Sequence, residues 1–160
     1  MTMVCTFCAR ELHHAHACQL RKRVPPVEVG PEVVFAWTGR GGPGGYVRGL
    51  ALTGLAPHLP GSAWAVHRTS LAFGAPDNDG DTWGAPDNDG DTWGVSCTIT
   101  GTRITSGHES LAQAVQEAHS RLAQKTPEQY AAARDAELAR QAAEARRKEI
   151  EEQAKKERTP

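Results

Sequence analysis

EVVFAWTGRGGPGGYVRGLALT, from Glu32 to Thr53, is a pair of β-branched and aromatic runs joined by a glycine-rich turn. Val, Phe, Trp and Tyr suit a pleated, half-buried surface, and clustered Gly and Pro break such runs. The stretch therefore predicts a hairpin with a loose loop, its strands being EVVFAWT (Glu32 to Thr38) and YVRGLALT (Tyr46 to Thr53). Working outward, Ala63 to Phe73 and Trp93 to Thr100 read as a third and fourth strand, and TRIT as a short fifth. This rhythm of strand and turn predicts a meandering antiparallel sheet of four to five strands.

Helical signals follow. Ser106 and Glu109 have the Ser-x-x-Glu spacing of a capping box, and Leu111, Ala114, Val115, Ala118 and Leu122 recur at helical intervals. That apolar stripe should lie on the sheet, so the fold class expected is α+β. Thr126-Pro127-Glu128-Gln129 starts a second helix, with an N-cap, a proline at the first helical position and a Gln three residues after the cap. Its large apolar residues Tyr130, Leu138 and Ile150 share no heptad seam. Glu144 with Lys148, Glu151 with Lys155 and Glu152 with Lys156 make i to i+4 ion pairs. Residues 126–160 thus read as a long, solvated, charged helix.

With 160 residues and a formal net charge of -1, the chain is expected to have one small core and no global pull toward nucleic acid or membrane. The charge is segregated. Arg10, Arg21, Lys22 and Arg23 make the N-terminus basic, and six aspartates with no base lie between Gly74 and Trp93. No apolar run reaches the roughly 18 residues of a membrane helix, and the start of the chain lacks the basic and apolar pattern of a secretory signal. The expected location is cytoplasmic, where clustered thiols hold metal more often than they form disulfides.

Three of the four cysteines fall in CTFCARELHHAHAC, Cys5 to Cys18. Cys5-x2-Cys8 is a chelating pair on a tight turn. Completing four ligands with His13 and Cys18 gives C-x2-C-x4-H-x4-C, while His16 offers the alternative C-x2-C-x7-H-x-C. The first spacing resembles the CCHC zinc knuckle of retroviral nucleocapsid and related RNA-binding proteins, over these fourteen residues only. The resemblance implies structural zinc on Cys5, Cys8, His13 and Cys18. It also implies a grip on single-stranded nucleic acid through an apolar or aromatic platform and basic flanks, here Phe7, Arg10, Arg21, Lys22 and Arg23. The family's glycines are replaced by Ala9 and Leu12, and its aromatic after the first cysteine by Thr6. Four protein ligands leave no open position for an activated water, so no enzyme activity is expected. Cys97 stands alone and reads as a core residue.

GAPDNDGDTW occurs twice, at Gly74 to Trp83 and Gly84 to Trp93. Asp77, Asp79, Asp81 and their copies Asp87, Asp89 and Asp91 resemble the start of an EF-hand calcium loop. Thr82 replaces the required glycine, however, and the twelfth position is Asn88 or Thr98, not Glu. A plain acidic hairpin loop, with a weak calcium site as the alternative, is the reading. Gly39 to Gly44 contains G-x-G-x-x-G, but a strand follows where a dinucleotide fold needs a helix. Arg40 and Arg48 there offer a second basic patch, and His58, His67, His108 and His119 are expected at the surface or the domain edge.

The expected organisation is a zinc-knuckle-like module at 1–19, a basic and Pro-rich linker at 20–31, an α+β domain at 32–125 with the acidic loop 74–93, and the tail. The expected function is that of a zinc-binding, nucleic-acid-associated accessory protein, contacting single-stranded RNA or DNA through the N-terminal module. The alternative is a protein-interaction adaptor of a bacterial or phage assembly that uses the C-terminal helix, with zinc purely structural.

Overall fold

The central hairpin is longer than its sequence signal, and it is bent. In the computed structural model, which describes residues 2–12, 26–39, 42–69 and 91–158, its strands are β3 (Val27–Gly39) and β4 (Gly42–Thr53). The other strands are β1 (Thr2–Cys5), β2 (Arg10–Leu12), β5 (Trp64–Thr69), β6 (Thr92–Cys97) and β7 (Arg103–His108). Among the described residues these form one seven-stranded antiparallel sheet, in the order β2-β1-β3-β4-β5-β6-β7. The α+β class holds, with seven strands where four to five were expected.

The two additional strands flank the cysteine turn, and each is too short to carry an alternation of its own. β1 pairs with Val27, Glu28 and Val29 of β3, and Val4, Val27 and Val29 are buried in the main core. The N-terminal hairpin is therefore part of the sheet, and the expected boundary between residues 31 and 32 falls inside β3. Pro31 marks something else: a register shift between Val29 and Glu32. Proline cannot donate to a ladder, and beyond it β3 pairs only with β4 among the described residues.

Helix α1 (Leu111–Ala123) lies on one face of the sheet. It touches β1 and β2 at one end of the strand order and β6 and β7 at the other, so the sheet curls around it. The anticipated stripe is all buried: Leu111, Ala114, Val115, Ala118 and Leu122 pack with Leu52, Trp64, Val66 and Val95. The helix starts later than its sequence suggests. β7 stays paired to His108, opposite Trp93, and Gly107 has φ +79°, outside the helical region. The cap is Ser110, whose side chain accepts from the Gln113 N–H at 3.2 Å. At the other end His58 Nε2 lies 3.1 Å from the Leu122 carbonyl, which also accepts the Lys125 N–H, and 3.2 Å from the Lys125 carbonyl just past the helix.

Helix α2 (Pro127–Arg158) begins where its capping signals place it. Gln129 N–H donates to Thr126 Oγ1 at 3.2 Å, and Gln129 Oε1 accepts from Thr126 N–H at 3.1 Å. Thr126→Ala should remove about 1 kcal/mol, read as loss of amide protection in the first turn of α2 with α1 unchanged. Three contacts fix the first half of α2. Tyr130 is buried with its ring 5.7 Å from Trp64, the Arg134 guanidinium passes over Gly61, and Gln141 Nε2 donates to the Thr100 carbonyl at 2.7 Å. Burial beside Cys97 pushes the Tyr130 hydroxyl up to about 12.

From Gln141 to Glu157 the side chains are exposed except those of Gln141, Glu144 and Lys148; the last two pair with each other at 3.4 Å, as their spacing predicts. At 1.5 Å per residue the helix reaches roughly 25 Å past Gln141. Surface ion pairs of this kind contribute little each. No described helix is long and apolar enough to cross a membrane.

The opposite face of the sheet carries a second, smaller core. From Leu50 back toward Tyr46, β4 leaves its ladder with β5 among the described residues, and Gly49 rests against the β5 backbone. A Cβ at Gly49 would lie 2.8 Å from the Val66 carbonyl oxygen and 3.3 Å from the Cβ atoms of Ala65 and His67. The arm formed by Val33 to Trp37 and Tyr46 to Gly49 thus folds over β5, and Phe35, Trp37 and Val47 cluster with Ala65. His67 is buried there at 1% exposure, not at the surface as expected. The cause is strand alternation: Trp64 and Val66 face α1, while Ala65 and His67 face the arm. His58 is exposed, and His108 and His119 are half-buried.

Candidate metal centre

The Cys5-x2-Cys8 segment is the turn between β1 and β2. Cys5 is the last residue of β1 and stands opposite Arg10, the first of β2. Between them Thr6 to Ala9 reverse the chain, and the turn closes with Ala9 N–H donating to the Cys5 carbonyl at 3.0 Å. Ala9 has φ +50°, the left-handed conformation that glycine adopts without strain. Ala9 occupies the place where the knuckle family carries glycine, and its backbone takes the glycine-like shape. Packing holds it there, for the Ala9 side chain rests against the main core.

The turn sets its residues apart by exposure. Cys5 and Thr6 are buried, Cys8 and Arg10 are exposed, and Phe7 between the two cysteines is 51% exposed. A large apolar ring in the open at the tip of a turn is what a stacking platform needs. Gln116 of α1 fixes the tip by donating from Nε2 to the Phe7 carbonyl at 2.8 Å. Sequence reasoning missed Gln116, which lies 109 residues away. In the helical pattern it is one more polar residue beside the buried Val115, so no local signal marks it.

The structure brings Cys5, Phe7, Cys8 and Arg10 together within one short hairpin turn. His13, His16, Cys18, Arg21, Lys22 and Arg23 lie outside the described residues, as do Arg40 and Asp77, Asp79, Asp81, Asp87 and Asp89. Asp91 is exposed just before β6. Arg48 is on the outer face of the arm, opposite Val34 of β3, away from the cysteine turn in the strand order. Among the described residues no three His, Cys, Asp or Glu side chains gather as a metal-binding group. The turn supplies two thiols of the four ligands a zinc site takes.

Two further polar clusters escaped the sequence reading. In the second core, His67 Nδ1 donates to the Arg68 carbonyl at 2.9 Å, so Nε2 accepts from the Ser96 hydroxyl at 2.8 Å. Burial holds this imidazole below its ordinary value, and the Arg103 guanidinium acts in the same direction. Ser96 is 0% exposed, which closes the pair to any substrate. On the α1 face, the exposed Arg68 guanidinium stacks 4.1 Å from the Trp93 ring centroid. The chain matches no protein family, no curated protein and no solved structure.

Proposed function

We propose that this chain is a zinc-stabilised binding protein whose N-terminal hairpin contacts single-stranded nucleic acid. The observation that carries the reading is the turn itself: a left-handed Ala9 closes it, Cys5 and Cys8 bracket it, and Phe7 is displayed between them. Zinc on Cys5 and Cys8, completed by Cys18 and by His13 or His16, holds the hairpin. Phe7 stacks on a base, and Arg10 with Arg21, Lys22 and Arg23 meets phosphates.

Binding of a labelled single strand measured across a salt series tests this. Three or four phosphate contacts at about 0.7 each give a slope of roughly 2 to 3 in log affinity against log salt. Replacing Arg21, Lys22 and Arg23 with Gln should flatten the slope, and Phe7→Ala should cost about 1–3 kcal/mol of binding. A wild type with no salt-sensitive binding to RNA or DNA sinks the nucleic-acid reading. The adaptor reading would then stand, favoured by the half of α2 that extends past Gln141 with Ile150 69% exposed; the next test is a pull-down with residues 127–160.

A further inference from the structure

The second core is small and built around a titratable group. Its apolar part is Phe35, Trp37, Val47 and Ala65, far fewer residues than pack around α1. The Trp37 indole N–H is buried there with no hydrogen-bond partner among the described residues, which weakens the seal. The Phe35 ring meets the His67 imidazole edge-on at 5.8 Å, and the Arg103 guanidinium lies 5.5 Å from the Trp37 ring centroid. The arm thus presses two aromatic rings onto one neutral imidazole and one guanidinium.

We propose that the arm of β3 and β4 is an acid-released flap, closed while His67 is neutral and lifted from the sheet when His67 takes a proton from water. Neutral His67 is used at both nitrogens: Nδ1 donates to the Arg68 carbonyl and Nε2 accepts from Ser96. Protonation makes Nε2 a donor, so this contact reverses: the Ser96 hydroxyl proton must rotate to another acceptor and Ser96 Oγ accepts instead. It also places a cation in a buried site where, among the described residues, the neighbouring elements bring no carboxylate against the ring. Phe35 comes from β3, Gly49 from β4, and Gly94 and Ser96 from β6. β7 contributes Arg103, of the same sign. On β5 itself, the Arg68 side chain is turned to the other face, over Trp93. The cation is relieved by reaching water, and the arm is the layer that covers it.

The sign follows from the lowered value in the closed state. An exposed imidazole titrates near 6.5. Closure is therefore fully favoured above about pH 6.5 and weakens as pH falls below it. The ratio of open to closed arm rises about tenfold per pH unit until the closed-state value is reached. Among the described histidines His67 alone lies under the arm; His119 on α1, held low by burial and by His58, is common to the wild type and to His67→Gln and cancels in their comparison.

Exchange of the buried indole N–H groups in the full chain, normalised to intrinsic rates at pH 7.5 and pH 5, is the test, because lifting the arm leaves the β3–β4 backbone ladder intact. The Trp37 indole N–H should lose protection about tenfold or more at pH 5 while that of Trp64 in the main core keeps its own. The His67→Gln variant can still accept from Ser96 and donate to the Arg68 carbonyl without titrating, and its arm should be equally protected at both pH values. Unchanged arm protection in the wild type, or the same loss in His67→Gln, overturns the proposal. Should that variant fail to fold, imidazole titration by NMR in the wild type decides. A value below about 6.5 with arm resonances shifting in step supports the flap, and a value at or above it overturns the flap.

Discussion

Trp64→Ala lowers the folding free energy by about 3–5 kcal/mol, the range for deleting a large buried ring. Trp64 is 4% exposed and links three layers. In the sheet it stands between Leu52 of β4 and Cys97 of β6; on the α1 face it packs in the main core. Its ring also receives Tyr130, so the same deletion undocks the start of α2. Urea unfolding followed by circular dichroism should show a lower midpoint with an unchanged slope. Trp64→Phe should cost less than Trp64→Ala, partly because the buried indole N–H has no partner among the described residues and is no loss. A deficit under about 1 kcal/mol for the alanine variant would show that the core is not organised around this ring.

What could be read from the sequence was whatever repeats with a period. The α1 stripe from Leu111 to Leu122 and the Thr126-Pro127 start of α2 are local signals, and both are where they were expected. The central hairpin was legible for the same reason, as were the strands that became β5, β6 and β7, with ends shifted by a few residues. The short strands were not. β1 and β2 contain four and three residues, too few for an alternation to declare itself, and a motif drawn in cysteines overlay them. Ser106 looked like a helix cap because the local pattern was complete, yet the ladder between His108 and Trp93 kept the chain extended.

Of the candidate site, the ligand types were legible and the support was not. Nothing in C-x2-C states that Ala9 will take a left-handed turn, because an alanine there is held by packing against residues distant in sequence. Gln116 is hidden for the same reason. His67 shows a different limit. One-sided alternation predicts a surface histidine, and only the fold of the arm across β5 covers it. The hint was Gly49, a glycine inside a strand pattern, which marks a close backbone approach.

Metal removal should destabilise the whole sheet domain, not a detached module, if zinc is bound as proposed. β1 is hydrogen-bonded to β3, and Val4 at 0% exposure lies in the main core beside the buried Cys5. Releasing the turn therefore frays an edge of the sheet against which α1 packs. Structural zinc in small peptides contributes on the order of 10 kcal/mol of apparent folding free energy. If even about 3 kcal/mol of that reaches the sheet, the melting temperature falls by roughly 10 °C. Elemental analysis of the purified chain should give one zinc per molecule. Cys5→Ser and Cys18→Ser should each abolish it, and His13→Ala should weaken it more than His16→Ala. The chelator-induced drop in melting temperature should vanish in Cys5→Ser, which separates loss of metal from loss of a buried thiol. Wild-type protein that carries no zinc above background, and melts at the same temperature with and without chelator, would leave the turn as a structural hairpin and remove zinc from the account of this protein.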